Sequence, residues 1–392
     1  MKNIIIYEDS NFENLAPFSI NHASFELKCG IFSNLDRIIK YYNNSNIILI
    51  VRQELENLIK ERYSNHEVNP KKIPPGICIN GALIFDKDNI DTSFKKPIKY
   101  KEKIVGFNLI DKLDIDEFQN YIHNIANGVD KDVLCINYLW ECIDLFHSII
   151  KLDIDYYIDK NQLIKSKDVF FVNEKNIYIN NSVNIEPGCI IDATNGPIVI
   201  NENVVIQSGS IIKGPSFIDV NSTISNGAKL KGNVLIGETC KVGGEITDTI
   251  FHGYSNKVHD GFLGHSYVGE WVNLGANTNN SNLKNNYSTI KFKFPNKSLN
   301  TNRTFLGVMI GDFTRTGIST MINTGSYFGL GANIFGGDFQ NKFIDSFAWG
   351  KESKVDFEKF IDTLKIMKKR RSKKLTKTEV QFLKKLYDKI NL

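Results

Sequence analysis

VIQSGSIIKGPSFIDVNSTISNGAKLKGNVLIGETCKV, residues 205–242, carries an aliphatic side chain at every sixth position: Ile206, Ile212, Ile218, Ile224, Leu230, Ile236 and Val242. A helix repeating every 3.6 residues does not give this run, and neither does a strand alternating every two. A period of six is that of a parallel β-helix built from hexapeptides. Each hexad makes a short strand and a turn, its aliphatic residue points into a stacked core, and three faces close a triangular coil. The intervening Asn, Gly, Ser and Asp suit tight corners. The beat starts with Ile179, Ile185 and Ile191, and Asn195-Gly196-Pro197 shifts it. It returns as Phe262, Val268 and Leu274, and again as Ile322, Phe328 and Ile334.

Working outward, the 392 residues suffice for two or three domains, and 42% hydrophobic with 23% charged residues describes an ordinary soluble chain. A net charge of +4 with no aromatic-plus-basic motif argues against a nucleic-acid partner. The six cysteines form no CxxC pair, so neither a zinc knot nor a disulfide framework is expected, and a reducing cytoplasm fits. No stretch reaches the ~18 apolar residues of a membrane span. The start, Met1 to Asp9, reads as a buried strand and not as a leader.

Three regions follow. Residues 1–168 alternate strand-like and helix-like segments, with strands over Asn3–Tyr7, Asn46–Val51 and Cys78–Phe85. Helical spacing covers Ile31–Tyr42, Gln53–Tyr63, Asp114–Asn127 and Tyr138–Ile150. That alternation predicts an α/β layer with parallel strands. Residues 169–350 are the coil, with the beat expected to lapse at 247–261 and a polar Asn- and Lys-rich stretch at 283–305. Residues 351–392 form a basic tail with helical spacing over Lys354–Lys369 and Thr376–Ile390, expected to cover the open end of the coil.

The densest polar segment runs from Gly243 to Asn286 and holds three of the seven histidines. Passing an acyl group from a thioester to a sugar amine needs a base for the amine proton, and histidine suits that near neutral pH. A carboxylate such as Glu245 can orient an imidazole, and lysines can hold a phosphate. The bland reading is that these residues only line corners. A zinc hydrolase using His252, His259 and His265 is a further reading from the three histidines.

Ser255-Asn256-Lys257, His259-Asp260-Gly261-Phe262-Leu263-Gly264, Trp271-Val272-Asn273-Leu274-Gly275, Gly311-Asp312, Asn323-Thr324-Gly325 and Phe347-Ala348-Trp349-Gly350 carry a resemblance. The chain resembles a divergent bacterial group related to the bifunctional N-acetylglucosamine-1-phosphate uridyltransferase/glucosamine-1-phosphate acetyltransferase. The resemblance implies a nucleotidyltransferase-like α/β domain, a left-handed parallel β-helix and a helical tail. It implies His259 as base and Glu245 as its supporting acid. Asn273 and Asn282 become substrate-contacting amides, Lys229 a phosphate contact, and Lys257 and Phe262 further substrate contacts. Phe262 stands where the family has a tyrosine, which removes a hydroxyl. Acetyl-CoA or another acyl-CoA is the implied cofactor, an amino-sugar phosphate or nucleotide sugar the implied substrate, and a homotrimer the implied assembly. Lys368, Arg370 and Arg371 are candidates for the coenzyme A phosphates, with a solvated helix end as the alternative.

The N-terminal domain departs from the group's pattern. His22-Ala23 stands where Arg-Pro is expected, Lys28 replaces an arginine, and Asn80-Gly81-Ala82 replaces Asn-Gly-Arg. Lys28 and Asn80 are what is left to bind nucleotide, Mg²⁺ is implied only if this domain is active, and no resident metal ligands are assigned. The leading expectation is therefore an acyl-CoA-dependent N-acyltransferase. The alternatives are a sugar-1-phosphate nucleotidyltransferase, alone or bifunctional, and a non-catalytic nucleotide-sugar-binding assembly subunit.

Overall fold

The computed structural model describes residues 2–86, 90, 93–155, 168–351 and 353–390. It opens on a seven-stranded sheet in the order 67–68, 46–50, 3–7, 76–80, 103–109, 98–100, 129–130. Its strands β1 (Asn3–Tyr7), β2 (Asn46–Ile50), β3 (Glu67–Val68) and β4 (Gly76–Asn80) pair in parallel. Ile4, Ile5, Ile6, Ile48, Leu49, Cys78 and Ile79 are fully buried, as a sheet covered on both faces requires. The helices are α1 (Asn34–Tyr41), α2 (Glu56–Arg62), α3 (Phe118–His123) and α4 (Glu141–Ile154). The helix expected over Asp114–Asn127 is confined to α3 and a preceding 3-10 turn.

The coil has the three strand ladders that the six-residue beat predicts. One turn takes eighteen residues where it is regular, so that Ile200, Ile218 and Ile236 stack in parallel register. Ile206, Ile212, Ile218, Ile224, Leu230, Ile236 and Val242 are all fully buried. At 247–261 the beat shortens and does not lapse. Two long strands, β5 (Glu245–Gly253) and β6 (Phe262–Glu270), bend round one corner at Asp248 and His265, whose φ angles are 46° and 50°. Ile246 pairs with Leu263, so Leu263 fills the core and Phe262, expected there, faces outward and is half-buried. The polar stretch 283–305 carries an antiparallel hairpin, 291–293 with 298–300.

Two faces of the coil are covered. Val199, Phe217, Leu235, Ile250, Tyr267, Met309 and Tyr327 are buried in one cluster with Ile143, Phe146, Ile149 and Ile150 of α4. Each is the outer residue of its strand, in register from turn to turn. The first domain therefore lies along the coil and is not strung before it. The tail forms α5 (Phe357–Lys369) and α6 (Lys377–Lys389). It was expected over the open end, but it packs on a flank. Phe360, Ile361, Leu364 and Leu383 meet Tyr254, Trp271, Phe313, Leu330 and Phe347, corner residues of successive turns. Tyr254 and Trp271 stack on each other at 4.5 Å, and the helices cover this row of corner aromatics.

Candidate functional site

One ladder carries Lys229, Glu245 and Phe262 in register on its outer side. Corners flank it on both sides. On the first, His259 is exposed on the turn leading from Asn256–Lys257 to β6. Among the described residues its ring has no hydrogen bond or ion pair, and Glu245 instead pairs with Lys231 at 3.1 Å. Lys229 is exposed. Asn273 lies on the neighbouring ladder, bridged to Asn256 and Arg315, with its Oδ1 3.4 Å from Asn256 Nδ2. His259 thus stands on the edge between the ladder of Asn273 and the ladder of Glu245 and Phe262.

The second corner joins Asp248, His265 and Asn282. Asn282 Nδ2 donates to His265 Nδ1 at 2.9 Å. His265 stacks on Phe305 at 5.1 Å and lies 3.8 Å from Asp248. Burial lowers the His265 pKa despite Asp248. Gly264 shows how close Phe262 and Asn282 come: a Cβ there would sit 2.6 Å from the Phe262 ring and 2.9 Å from the Asn282 amide.

Lys257 was expected to meet substrate, and its placement is different. It pairs with Val242, turns into the coil and is 1% exposed. Its Nζ donates to the carbonyl oxygen of His259 at 2.8 Å, tying down the turn that carries the imidazole. Burial lowers its pKa to about 8. Because the folded value lies below the usual 10.5, the unfolded chain holds more protons between pH 8 and 10.5, and stability rises with pH in that window. Lys257→Met fills the same space without a charge. Its stability advantage over wild type will shrink by up to about 3 kcal/mol from pH 8 to 10.5, read from paired urea titrations. A constant difference would contradict this.

The basic tail is largely committed to the chain itself. Lys368 is buried in an ion pair with Glu379 and lies over the Trp271 ring at 5.5 Å. Arg371 donates to Asn256 Oδ1 at 2.9 Å, while Arg370 is exposed. Lys28 and Asn80 do not share a site. Lys28 lies 3.7 Å from Asp219 of the coil, and Asn80 donates to Asp9 at 2.9 Å.

Two cavities complete the picture. β2 lies on one side of β1 and β4 on the other, and ligands of α/β sheets bind at the carboxyl ends of such a switch point. A cavity of about 880 Å³ opens there, lined by Glu8, Asp9, Arg52, Lys99, Lys103 and Gln119 among others. Asp9 stands 3.8 Å from Lys103, and Arg52 donates to Glu8 at 2.6 Å. The second cavity, about 470 Å³, lies between the α/β domain, the coil and the tail. His22 Nε2 is 2.9 Å from Asp312 Oδ2. His22 Nδ1 is 3.2 Å from Arg62 and 3.5 Å from Glu26. His252 places Nδ1 3.1 Å from Glu270 and Nε2 3.0 Å from the Glu26 carbonyl oxygen. Burial alone would lower the His22 pKa, but Asp312 more than reverses it, to about 9. Burial opposes ionisation of Glu26, yet Arg62 and His22 hold its pKa to about 2. In the sequence His22 stands out only as a departure from a nucleotide loop and Asp312 only as part of the Gly311-Asp312 motif, and no local pattern marks Glu26, Arg62 or Glu270. His252, His259 and His265, weighed together as zinc ligands, stand at separate places.

Fold and site together define a nucleotidyltransferase-like α/β domain docked on a hexapeptide-type parallel β-helix. Residues 4–162 match the sugar nucleotidyl transferase family. The chain is also similar to bifunctional sugar nucleotidyltransferase/acetyltransferases over parts of its length. It is 30% identical over 149 residues to the bifunctional sugar-1-phosphate nucleotidylyltransferase/acetyltransferase of Sulfurisphaera tokodaii, covering 38% of this chain and 37% of that one. To the bifunctional protein GlmU of Wigglesworthia glossinidia brevipalpis it is 29% identical over 186 residues, 46% and 34% of the two chains. The GlmU of Methanocaldococcus jannaschii aligns over 297 residues at 24% identity, 71% and 66%. The chain spans about a third of the length of the first two relatives. Among the described residues no helix is long and apolar enough to cross a membrane.

Proposed function

We infer that the chain is an acyl-CoA-dependent N-acyltransferase acting on an amino-sugar phosphate or nucleotide amino sugar, with His259 as its base. One observation supports this most: an exposed imidazole on the edge between the two ladders that carry Glu245, Phe262 and Asn273. Bound acyl-CoA supplies the thioester. His259 takes the proton shed by the acceptor amine as its nitrogen bonds to the acyl carbon. As the carbon–sulfur bond breaks, the proton returns to the departing sulfur. Lys229 is free to meet an acceptor phosphate, and Arg370 a coenzyme phosphate; Lys368 and Arg371 are already engaged. The late turns expose Ile318, Phe335, Phe339 and Trp349, which suits packing against further copies of this chain as a trimer. The test is the mass of each acceptor in a panel of amino-sugar phosphates and nucleotide amino sugars after incubation with acetyl-CoA. Gain of one acetyl group on one acceptor class supports the reading, and no gain on any contradicts it.

A second reading, sugar-1-phosphate nucleotidyl transfer, is favoured by the switch-point cavity with Asp9, Arg52 and Lys103. In that reading Asp9 would be the Mg²⁺ ligand. Mg²⁺-dependent pyrophosphate release from a nucleoside triphosphate and a sugar 1-phosphate tests it.

A further inference from the structure

The cavity between the domains holds a cluster that acyl transfer does not use. His22 comes from the α/β domain, His252 from β5 and Glu270 from β6. Each offers one ligand atom, and the three atoms lie within 4.8 Å of one another. Ligands about 2.0–2.1 Å from one tetrahedral ion are roughly 3.3 Å apart, so adjustments of an ångström or so bring them to one centre.

The surroundings are those of a prepared site. A metal-bound histidine gives its second ring N–H to a carbonyl or carboxylate, which fixes the tautomer. His252 Nε2 has the Glu26 carbonyl oxygen at 3.0 Å, and His22 Nε2 has Asp312 at 2.9 Å. Asp312 is itself fixed by Asn21 Nδ2 and by the Glu270 backbone N–H, both at 2.8 Å. The Nδ1 atoms are left as ligands, the His252 one 3.1 Å from Glu270. Around the three ligand atoms the carboxylates Glu26, Glu270 and Asp312 outnumber the Arg62 guanidinium, a surplus of negative charge that favours a cation. Arg62 Nη1 lies 3.2 Å from His22 Nδ1 and 3.1 Å from Glu26, so an ion on that nitrogen has to displace the guanidinium from the imidazole.

We propose that His22, His252 and Glu270 bind one zinc-class divalent ion that staples the α/β domain to the coil, its fourth position facing the interdomain cavity. Two nitrogens and one carboxylate oxygen suit zinc and cobalt better than magnesium or calcium.

The full-length protein, stripped with chelator and dialysed, is titrated with Co²⁺ while the visible d–d absorption is followed, and bound Zn²⁺ is counted by elemental analysis. One equivalent, with strong tetrahedral-type absorption, is expected. His252→Gln and Glu270→Gln should lose that equivalent, and Asp312→Asn should weaken binding by 10- to 100-fold. Lys229→Ala, on another part of the coil, should bind as wild type. If a variant fails to fold, zinc X-ray absorption on the wild type decides, since two imidazoles and a carboxylate in the first shell are required. No stoichiometric uptake by wild type, a shell without two imidazoles, or unchanged binding in both folded ligand variants would overturn the proposal.

Discussion

His259→Ala will lower the turnover number of acyl transfer by about 10²- to 10⁴-fold, the usual worth of a positioned general base. The acceptor KM should change little, because the imidazole acts on a proton that moves only in the transition state. The fold should be unaffected, because the side chain is exposed and has no partner among the described residues. Initial rates and circular dichroism on the same preparation check both statements. His265, on the other corner of the same ladder, makes the test discriminating. It has an amide at 2.9 Å and a carboxylate at 3.8 Å, the environment of an oriented imidazole. A full loss in His265→Ala beside an active His259→Ala would move the base to the other corner.

Asp153→Ala should destabilise the α/β domain by about 3–5 kcal/mol, because it strands a buried guanidinium. Arg37 and Asp153 are 3% and 1% exposed. Arg37 donates to both carboxylate oxygens at 2.8 Å, and the same carboxylate accepts the Ile31 N–H at 2.8 Å and the Phe32 N–H at 3.3 Å. One side chain therefore joins the last turn of α4 to the loop before α1. Gly30 marks how tight the loop is: its φ is 100°, and a Cβ would fall 2.4 Å from Asp153 Oδ2. Urea unfolding of Asp153→Ala and of the double variant Arg37→Met/Asp153→Leu reads the effect. The double variant should recover part of the loss, since it leaves no unpaired charge. A single-variant cost below about 1 kcal/mol would contradict the account.

The coil was legible because each hexad repeats a local pattern, and Ile206 to Val242 carry it without help from distant residues. The strands over Asn3–Tyr7 and Asn46–Ile50 were legible for the same reason. What failed depends on contacts far apart in sequence. The docking of α4 rests on outer residues such as Phe217, Tyr267 and Tyr327, and their signal was a run of two or three apolar residues where a hexad needs one. The flanking position of the tail was written in Tyr254, Trp271, Phe313 and Phe347, aromatics that fall off the six-residue beat. Lys257 was misplaced because a basic residue beside a candidate base suggests a ligand contact. Its position in register with Val242 shows that it belongs to the core. The His22–Asp312 pair spans 290 residues, and no spacing rule reaches across that distance.

The most direct test of the central claim is the initial rate of thiol release from acetyl-CoA with the best acceptor of the panel, in wild type and His259→Ala side by side. The account predicts acceptor-dependent release by wild type and its loss in the variant. Release that persists in His259→Ala would contradict it and move the base to another residue; no release by wild type with any acceptor would contradict it and shift the chemistry to the switch-point cavity of the α/β domain.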